Sequence, residues 1–403
     1  MNGRGDPAGH GRICTPPGRA GTTLRTDIHR QSRQESVMSS ETVLISGGGI
    51  AGCTLAYWLA RHGLRVTLVE RAASVRSSGS PVDVRGPAAR VAERMGVMKH
   101  IREASTGVEG LSFVDGTGRQ VARVRLPQAD SGKQVELPRG DLGAILYEAG
   151  RESAEFLFDD SIAGLEQDAH GVDVTFERAA PRRFGLVVGT DGLHSTVRRL
   201  VFGPESRFVR HMGLYAATTP ADGALEHDRR SVLMYNTPGK AVTVSPARTG
   251  ALAFFVFRSP EVADFDHRDT AQHKRLLAGA YADAGWRVPE LLERVRATDE
   301  LYFDSVSQVR LGSWSRGRVT LLGDAASCVS LFGDGSSLAM AGACTLAERV
   351  AAHPGEHAVA LAGYEAAHRK LVMPRQRFAA VGARWLVPAT RYGIRVRNLS
   401  ARW

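Results

Sequence analysis

The stretch Gly47-Gly48-Gly49-Ile50-Ala51-Gly52 limits the fold more than any other feature of the chain. A G-x-G-x-x-G turn makes physical sense only between a strand and a helix. Thr42 to Ser46 reads as a short apolar strand, Ala51 to Arg61 as a helix and Arg65 to Glu70 as a second strand. This βαβ opening implies a parallel sheet with a crossover helix. Gly47 permits the tight turn, Gly49 lets backbone approach a pyrophosphate, and Gly52 lets helix and strand pack closely. The helix N-terminus at Ile50 and Ala51 supplies unpaired N–H groups and a positive dipole end. Glu70, closing the second strand, can accept hydrogen bonds from a ribose 2′-hydroxyl and would repel a 2′-phosphate. The ligand expected here is FAD or NAD rather than NADP. Arg71 is assigned to the same site.

At 403 residues the chain can form one large domain or two coupled ones. No apolar run approaches the roughly 20 residues of a membrane-spanning helix, so no membrane partner is expected. Four cysteines without C-x-x-C spacing suggest a reduced, cytoplasmic protein. The net charge of +10 is concentrated at one end, since nine basic residues and no acidic one follow Glu365. We read this as a solvated helical face rather than a nucleic-acid site, because no zinc-finger, RNA-binding or basic-zipper pattern accompanies it. A monomer or homodimer is expected.

Residues 1–37 are rich in Gly, Arg, Pro, Ser and Thr and lack apolar periodicity. The extension 1–40 is read as disordered, with Met38 as a natural start. Later strands are expected at Gly171–Phe176, Gly185–Val188, Ala241–Val244, Ala251–Phe257 and Arg318–Leu322, and a long helix at Ser336–Ala352. The stretch Leu214 to Phe257 alternates as an antiparallel sheet does. The fold class is therefore α/β with an α+β insert. A discontinuous nucleotide-binding domain at 41–210 and 300–360 can include part of the insert's sheet. A β-rich substrate domain occupies 211–299, and C-terminal helices 361–403.

Two further strand-to-turn segments separate FAD from NAD. Gly185-Leu186-Val187-Val188-Gly189-Thr190-Asp191-Gly192 ends in Asp-Gly, and Gly317-Arg318-Val319-Thr320-Leu321-Leu322-Gly323-Asp324 ends in Gly-Asp. In this order after G-x-G-x-x-G, they resemble the aromatic-hydroxylase class of FAD monooxygenases, with a Rossmann-like FAD domain of the glutathione-reductase type. The resemblance runs from about residue 42 to at least 350 and implies several roles. Asp324 would contact the ribityl and ribose part of FAD, and the Asp191 segment would lie near the pyrophosphate. Arg139 occupies the family's Arg-x-x-Leu element and would complement phosphate or ribityl oxygens. Asp83 matches a segment beside the flavin in tetracycline-modifying relatives. Arg76 stands where those relatives keep an arginine that helps bind NADPH.

After Asp324 the family usually has a histidine, then one or two prolines, then Gly-x-Gly before a helix. Here Ser327 replaces the histidine, Ser330 and Leu331 replace the prolines, and Gly333 and Gly335 are kept. A bacterial subgroup that also tends to lack the histidine is suggested by Gly285-Trp286-Arg287-Val288-Pro289 and by the run Tyr302 to Val309. Phe332, Gly333 and Gly335 are expected near the flavin ring, with N–H groups of Gly335, Ser336 and Ser337 facing its N1–C2=O edge.

In relatives, NADPH or NADH reduces the flavin and O2 then forms a C4a-hydroperoxide that oxygenates an electron-rich substrate. No catalytic side chain is required. His194 and His211 show no metal-ligand spacing and read as structural. A flat aromatic or polyketide-like substrate is expected between flavin and sheet, with Tyr215, Met234, Tyr235, Phe255, Phe257 and Phe332 as candidate lining. The alternatives are an oxidase, reductase or desaturase of the same fold, and a flavoprotein that only sequesters a ligand.

Overall fold

A computed structural model describes residues 41–75, 81–125, 134–223, 230–247, 250–329, 331 and 335–400. The N-terminal extension and the candidates Arg76, Phe332 and Gly333 lie outside these residues, as does Ser330.

Thr42–Ser46 forms the centre of a six-stranded sheet. It pairs in parallel with Arg65–Glu70 on one side and Leu186–Gly189 on the other. Glu155–Phe158 extends the first side, and Val319–Leu321 extends the second. Val43, Leu44, Ile45, Leu186, Val187 and Val188 are fully buried. Such continuous apolar runs are what a parallel sheet covered on both faces demands. The helices Ile50–Arg61 and Gly335–Ala352 pack against each other, and His357–Leu386 packs against the latter. The strand and helix ends fall within about two residues of those read from sequence, the ordinary fraying of assigned boundaries.

The second large sheet has seven strands: Tyr302–Val309, Val209–Pro220, Ala251–Arg258, Lys240–Pro246, Ser231–Thr237, Gly110–Val114 and Gln120–Arg125, in that spatial order. Its middle is antiparallel, as the alternation predicts. The last two strands come from residues 110–125, within the segment assigned to the nucleotide-binding part. Gly110–Val114 joins Ser231–Thr237 in parallel.

Period-two alternation gives this sheet two distinct faces. Tyr215, Tyr235, Phe255, Phe257 and Phe303 share one face and pack under the helices Thr270–Ala280 and Val288–Ala297 through Leu277, Tyr281, Leu291 and Val295. The row Tyr302, Thr218, Phe254, Thr243, Met234, Phe113 runs across the other face, each residue opposite the next. This decides between the two readings of the candidate lining, pocket or plain core. Four of the six candidates, Tyr215, Tyr235, Phe255 and Phe257, are core beneath helices, because each lies one residue out of phase with the open face. Met234 is on the open face but buried.

Tyr281 clamps the helix layer to the sheet. Its buried hydroxyl lies 2.7 Å from Ala241 O and 2.8 Å from Val256 O, sharing its hydrogen between them. Tyr281→Phe should therefore lower the unfolding free energy by about 1–2 kcal/mol, measured by urea denaturation, without changing flavin content.

Candidate functional site

The site begins at the helix Ile50–Arg61. Ile50 and Ala51 are buried, no side chain caps the helix, and no acidic residue lies in its first turn. A buried helix start without a protein cap implies a partner from outside the chain. The glycines differ in purpose. A Cβ on Gly52 would stand 1.9 Å from Gly47 O and 2.9 Å from Thr190 Oγ1, whereas one on Gly49 would meet nothing within 4 Å. Gly52 is needed by the fold, and Gly49 leaves open space before the N–H groups. Gly47 has φ +110, and a Cβ on it would stand 2.8–2.9 Å from the Thr190–Asp191 backbone. Thr190 Oγ1 lies 2.8 Å from Gly47 O.

Glu70 is held by the turn it faces. Its Oε2 accepts from Gly48 N at 2.6 Å and its Oε1 from Ala72 N at 2.8 Å. The carboxylate is thus fixed beside the glycine turn. Arg71 swings away, exposed, and donates to Thr196 Oγ1 at 3.4 Å.

Arg139 begins the helix Arg139–Gly150, directly after the strand Gln134–Pro138. Asp324 opens a short helix after Val319–Leu321, and its Oδ1 lies 3.9 Å from where a Cβ would stand on Gly335. The charges of Arg139 and Asp324 both reach the hydroxyl of Tyr302. Tyr302 is 52% exposed on the open sheet face, within electrostatic reach of Arg139, Asp304 and Asp324. Sequence reasoning missed Tyr302. Its signal was the alternation that puts Tyr302, Asp304 and Val306 on the open face. Pro220, Val232, Thr243, Leu252 and Phe254 on that face are also half-buried rather than packed away.

Ser336 and Ser337 are brought to the site, but their hydroxyls have a structural task. Both donate to Asp83 O at 2.9 Å, and Ser337 Oγ accepts from Arg85 N at 3.1 Å. They anchor the strand Pro81–Arg85 to the start of the helix Gly335–Ala352. The Asp83 carboxylate accepts from Gln134 Nε2 at 2.7 Å.

Asp191 turns inward to the protein. Burial raises its pKa, while hydrogen bonds from Ser195 Oγ and Val197 N oppose that rise. It accepts from Val197 N at the start of the helix Thr196–Phe202, so the Asp191 carboxylate is committed to that helix, while the Thr190 hydroxyl and the loop's backbone abut the glycine turn. Arg198, fully buried, donates to Ala325 O at 3.0 Å and also to Leu193 O. This guanidinium, which sequence reasoning missed, ties the Asp-Gly loop to the Gly-Asp helix.

His194 bridges the two sheets. Its Nδ1 lies 2.9 Å from Glu205 and its Nε2 3.0 Å from Asp304, and its ring stacks on His267 at 3.8 Å. Burial would depress its pKa, but hydrogen bonds to Asp304 and Glu205 outweigh that and carry it to about 9. His211 Nε2 lies 3.1 Å from Ser259 O. No metal-ligand cluster is present among the described residues. Ser327, where the resemblance leads one to expect histidine, is buried and borders a hollow of about 260 Å³ with Val309, Leu311, Trp314 and Val372.

Residues 40–374 match the family described as FAD binding domain. An uncharacterized protein of Mycobacterium tuberculosis is 43% identical over 332 residues, covering 81% of this chain and 89% of that protein. A flavin-dependent monooxygenase of Legionella longbeachae is 34% identical over 344 residues, covering 83% of this chain and 87% of that protein. Among solved structures, tetracycline destructase Tet(51) superposes with a TM-score of 0.80 at 30% identity, covering 90% of this chain and 95% of that one.

Two outcomes follow from this geometry. Gly49→Ala should keep the apo-protein's melting temperature and lose bound flavin at least tenfold, whereas Gly52→Ala should fail to fold; calorimetry and flavin absorbance separate them. The folded pKa of His194 lies above its unfolded value near 6.5. Its stabilisation, on the order of 2–3 kcal/mol, is complete below pH 6.5 and lost as pH rises through 9. Denaturation across that range should show the decline, and His194→Gln should abolish it.

Proposed function

Because the chain belongs to the FAD-binding-domain family of flavin-dependent monooxygenases, we propose that it uses NADPH or NADH to insert one oxygen atom of O2 into an aromatic or polyketide-like small molecule. One observation carries the reading. An uncapped, buried helix start with Glu70 beside it lies against Gly323, and Asp324 and Arg139 act electrostatically on Tyr302 of the half-buried sheet face. The residues fit FAD. The helix N-terminus and the open space at Gly49 would hold the pyrophosphate, Glu70 the ribose, and Asp324 the ribityl hydroxyls. Arg139 would balance the negative charge. Gly335 and the N–H groups opening its helix would face the ring edge. Bound FAD supplies the redox chemistry, passing electrons from nicotinamide to O2.

The chain's own part is to bind, orient and keep water out. Thr243, Phe254 and Tyr302 form a wall of mixed character, with the buried Thr218 between Phe254 and Tyr302. Its apolar members suit a flat ring, and its hydroxyls can orient a polar substituent. The Tet(51) likeness supports a fused-ring substrate, as does the row's span across several strands.

The test is oxygen consumption by the holoenzyme with NADH or NADPH and a panel of phenols and polyketides. The expected result is a substrate-accelerated reaction whose product gains one oxygen atom. Nicotinamide oxidation that yields only hydrogen peroxide with every compound would refute oxygen insertion. Phe254→Ala should lower kcat/KM about tenfold while flavin content stays unchanged.

A further inference from the structure

The basic C-terminal segment has no part in the chemistry above. Among the described residues, ten large apolar side chains are exposed, and seven of them lie between Met373 and Leu399. They form two stripes. On the helix His357–Leu386 the stripe is Phe378, Val381 and Trp385, with Phe378 71% and Trp385 47% exposed. On the helix Arg391–Ser400 it is Tyr392, Val396 and Leu399, with Tyr392 77% exposed. Spacings of three and four residues put each set on one helix face.

Arginines flank both stripes. Arg377 and Arg384 line a groove of about 570 Å³ together with Arg210, Arg258 and Arg310. Arg391 and Arg395 are exposed on the last helix. No acidic residue follows Glu365. The last helix is docked firmly: buried Arg397 lies 4.3 Å over the Phe113 ring and donates to Leu386 O at 3.4 Å.

We infer that this face is a docking surface for an anionic lipid bilayer. Exposed aromatic and aliphatic side chains would enter the headgroup boundary, while flanking guanidinium groups pair with lipid phosphates. Charge rules against a second copy of this chain as the occupant. A two-fold contact would set these arginines against their own counterparts, with no carboxylate from the segment after Glu365 to separate them. No helix among the described residues is long and apolar enough to cross a membrane, so the contact is peripheral. The face also lies close to the substrate wall. Ala383 and Val387, on the inner side of the long helix, pack on Leu214, Ala216, Met234 and Val256 of the open sheet face. The bilayer would then lie about one helix diameter, roughly 10 Å, from the sheet that receives the substrate.

The experiment is flotation of the FAD-loaded full chain with vesicles of phosphatidylcholine alone, and of phosphatidylcholine mixed equally with phosphatidylglycerol. Binding to the mixed vesicles, lost in high salt and absent with phosphatidylcholine alone, is the expected result. Phe378→Ser with Trp385→Ser, and separately Arg377→Glu with Arg384→Glu, should each weaken binding at least tenfold while flavin absorbance is retained. A folded wild-type chain that ignores mixed vesicles, or binds both kinds equally, overturns the inference. So does a wild-type dimer in light scattering that the Phe378/Trp385 variant converts to monomer. If one variant pair loses its flavin, the other pair decides.

Discussion

The molecule is organised around a helix start that the protein itself does not satisfy. Ile50 and Ala51 are buried, yet no side chain caps their end of the helix, and Gly52 is pressed against Gly47 so closely that no side chain fits there. An electropositive point is thereby fixed at the C-terminal edge of the parallel sheet. The polar elements nearby take positions relative to it. Glu70 is pinned by the turn's own N–H group, and the Thr190–Asp191 backbone closes on the turn from the neighbouring strand. Arg198 then binds that neighbouring loop to the helix that begins at Asp324. Segments far apart in the chain become one rim through backbone contacts, the Glu70 carboxylate, the Thr190 hydroxyl and the buried Arg198 guanidinium. Such a rim must hold its shape before any ligand arrives, because an anion site built on N–H directions works only when those directions are fixed.

The rim was legible in the sequence because its requirements are steric and local. Glycine at 47, 49 and 52, and an acidic residue at the end of the next strand, follow from backbone geometry within some 25 residues. Asp324 and Arg139 were found by resemblance, and the fold brings both to Tyr302. What escaped depended on tertiary context. The side chain of Asp191 caps a helix rather than facing the rim, and no pattern in the chain distinguishes those two uses. Ser336 and Ser337 were assigned for their N–H groups, but their hydroxyls hold the Asp83 backbone 250 residues away. Aromatic character alone did not separate core from open face. Tyr215, Phe255 and Phe257 are as apolar as wall residues would be, and only strand register shows that they face the covering helices.

The two sheets meet where charge is concentrated. His194 belongs to the loop after a strand of the first sheet, Asp304 to a strand of the second, and His267 to the connection beyond Ala251–Arg258. Removing one member of this imidazolium–carboxylate cluster would leave uncompensated charge in a half-buried place. The contact between the two sheets therefore includes a titratable group as well as packing.

The parallel pairing of Gly110–Val114 with Ser231–Thr237 has a consequence for how the chain is made. The earlier strand leaves the ribosome about 120 residues ahead of its partner, so it waits with an open, apolar edge throughout that interval. Closing so long a loop is also slow compared with forming the hairpins in the middle of the sheet. The seven-stranded sheet therefore cannot close until Ser231–Thr237 has been made, and until then its waiting edge is open to association between nascent chains.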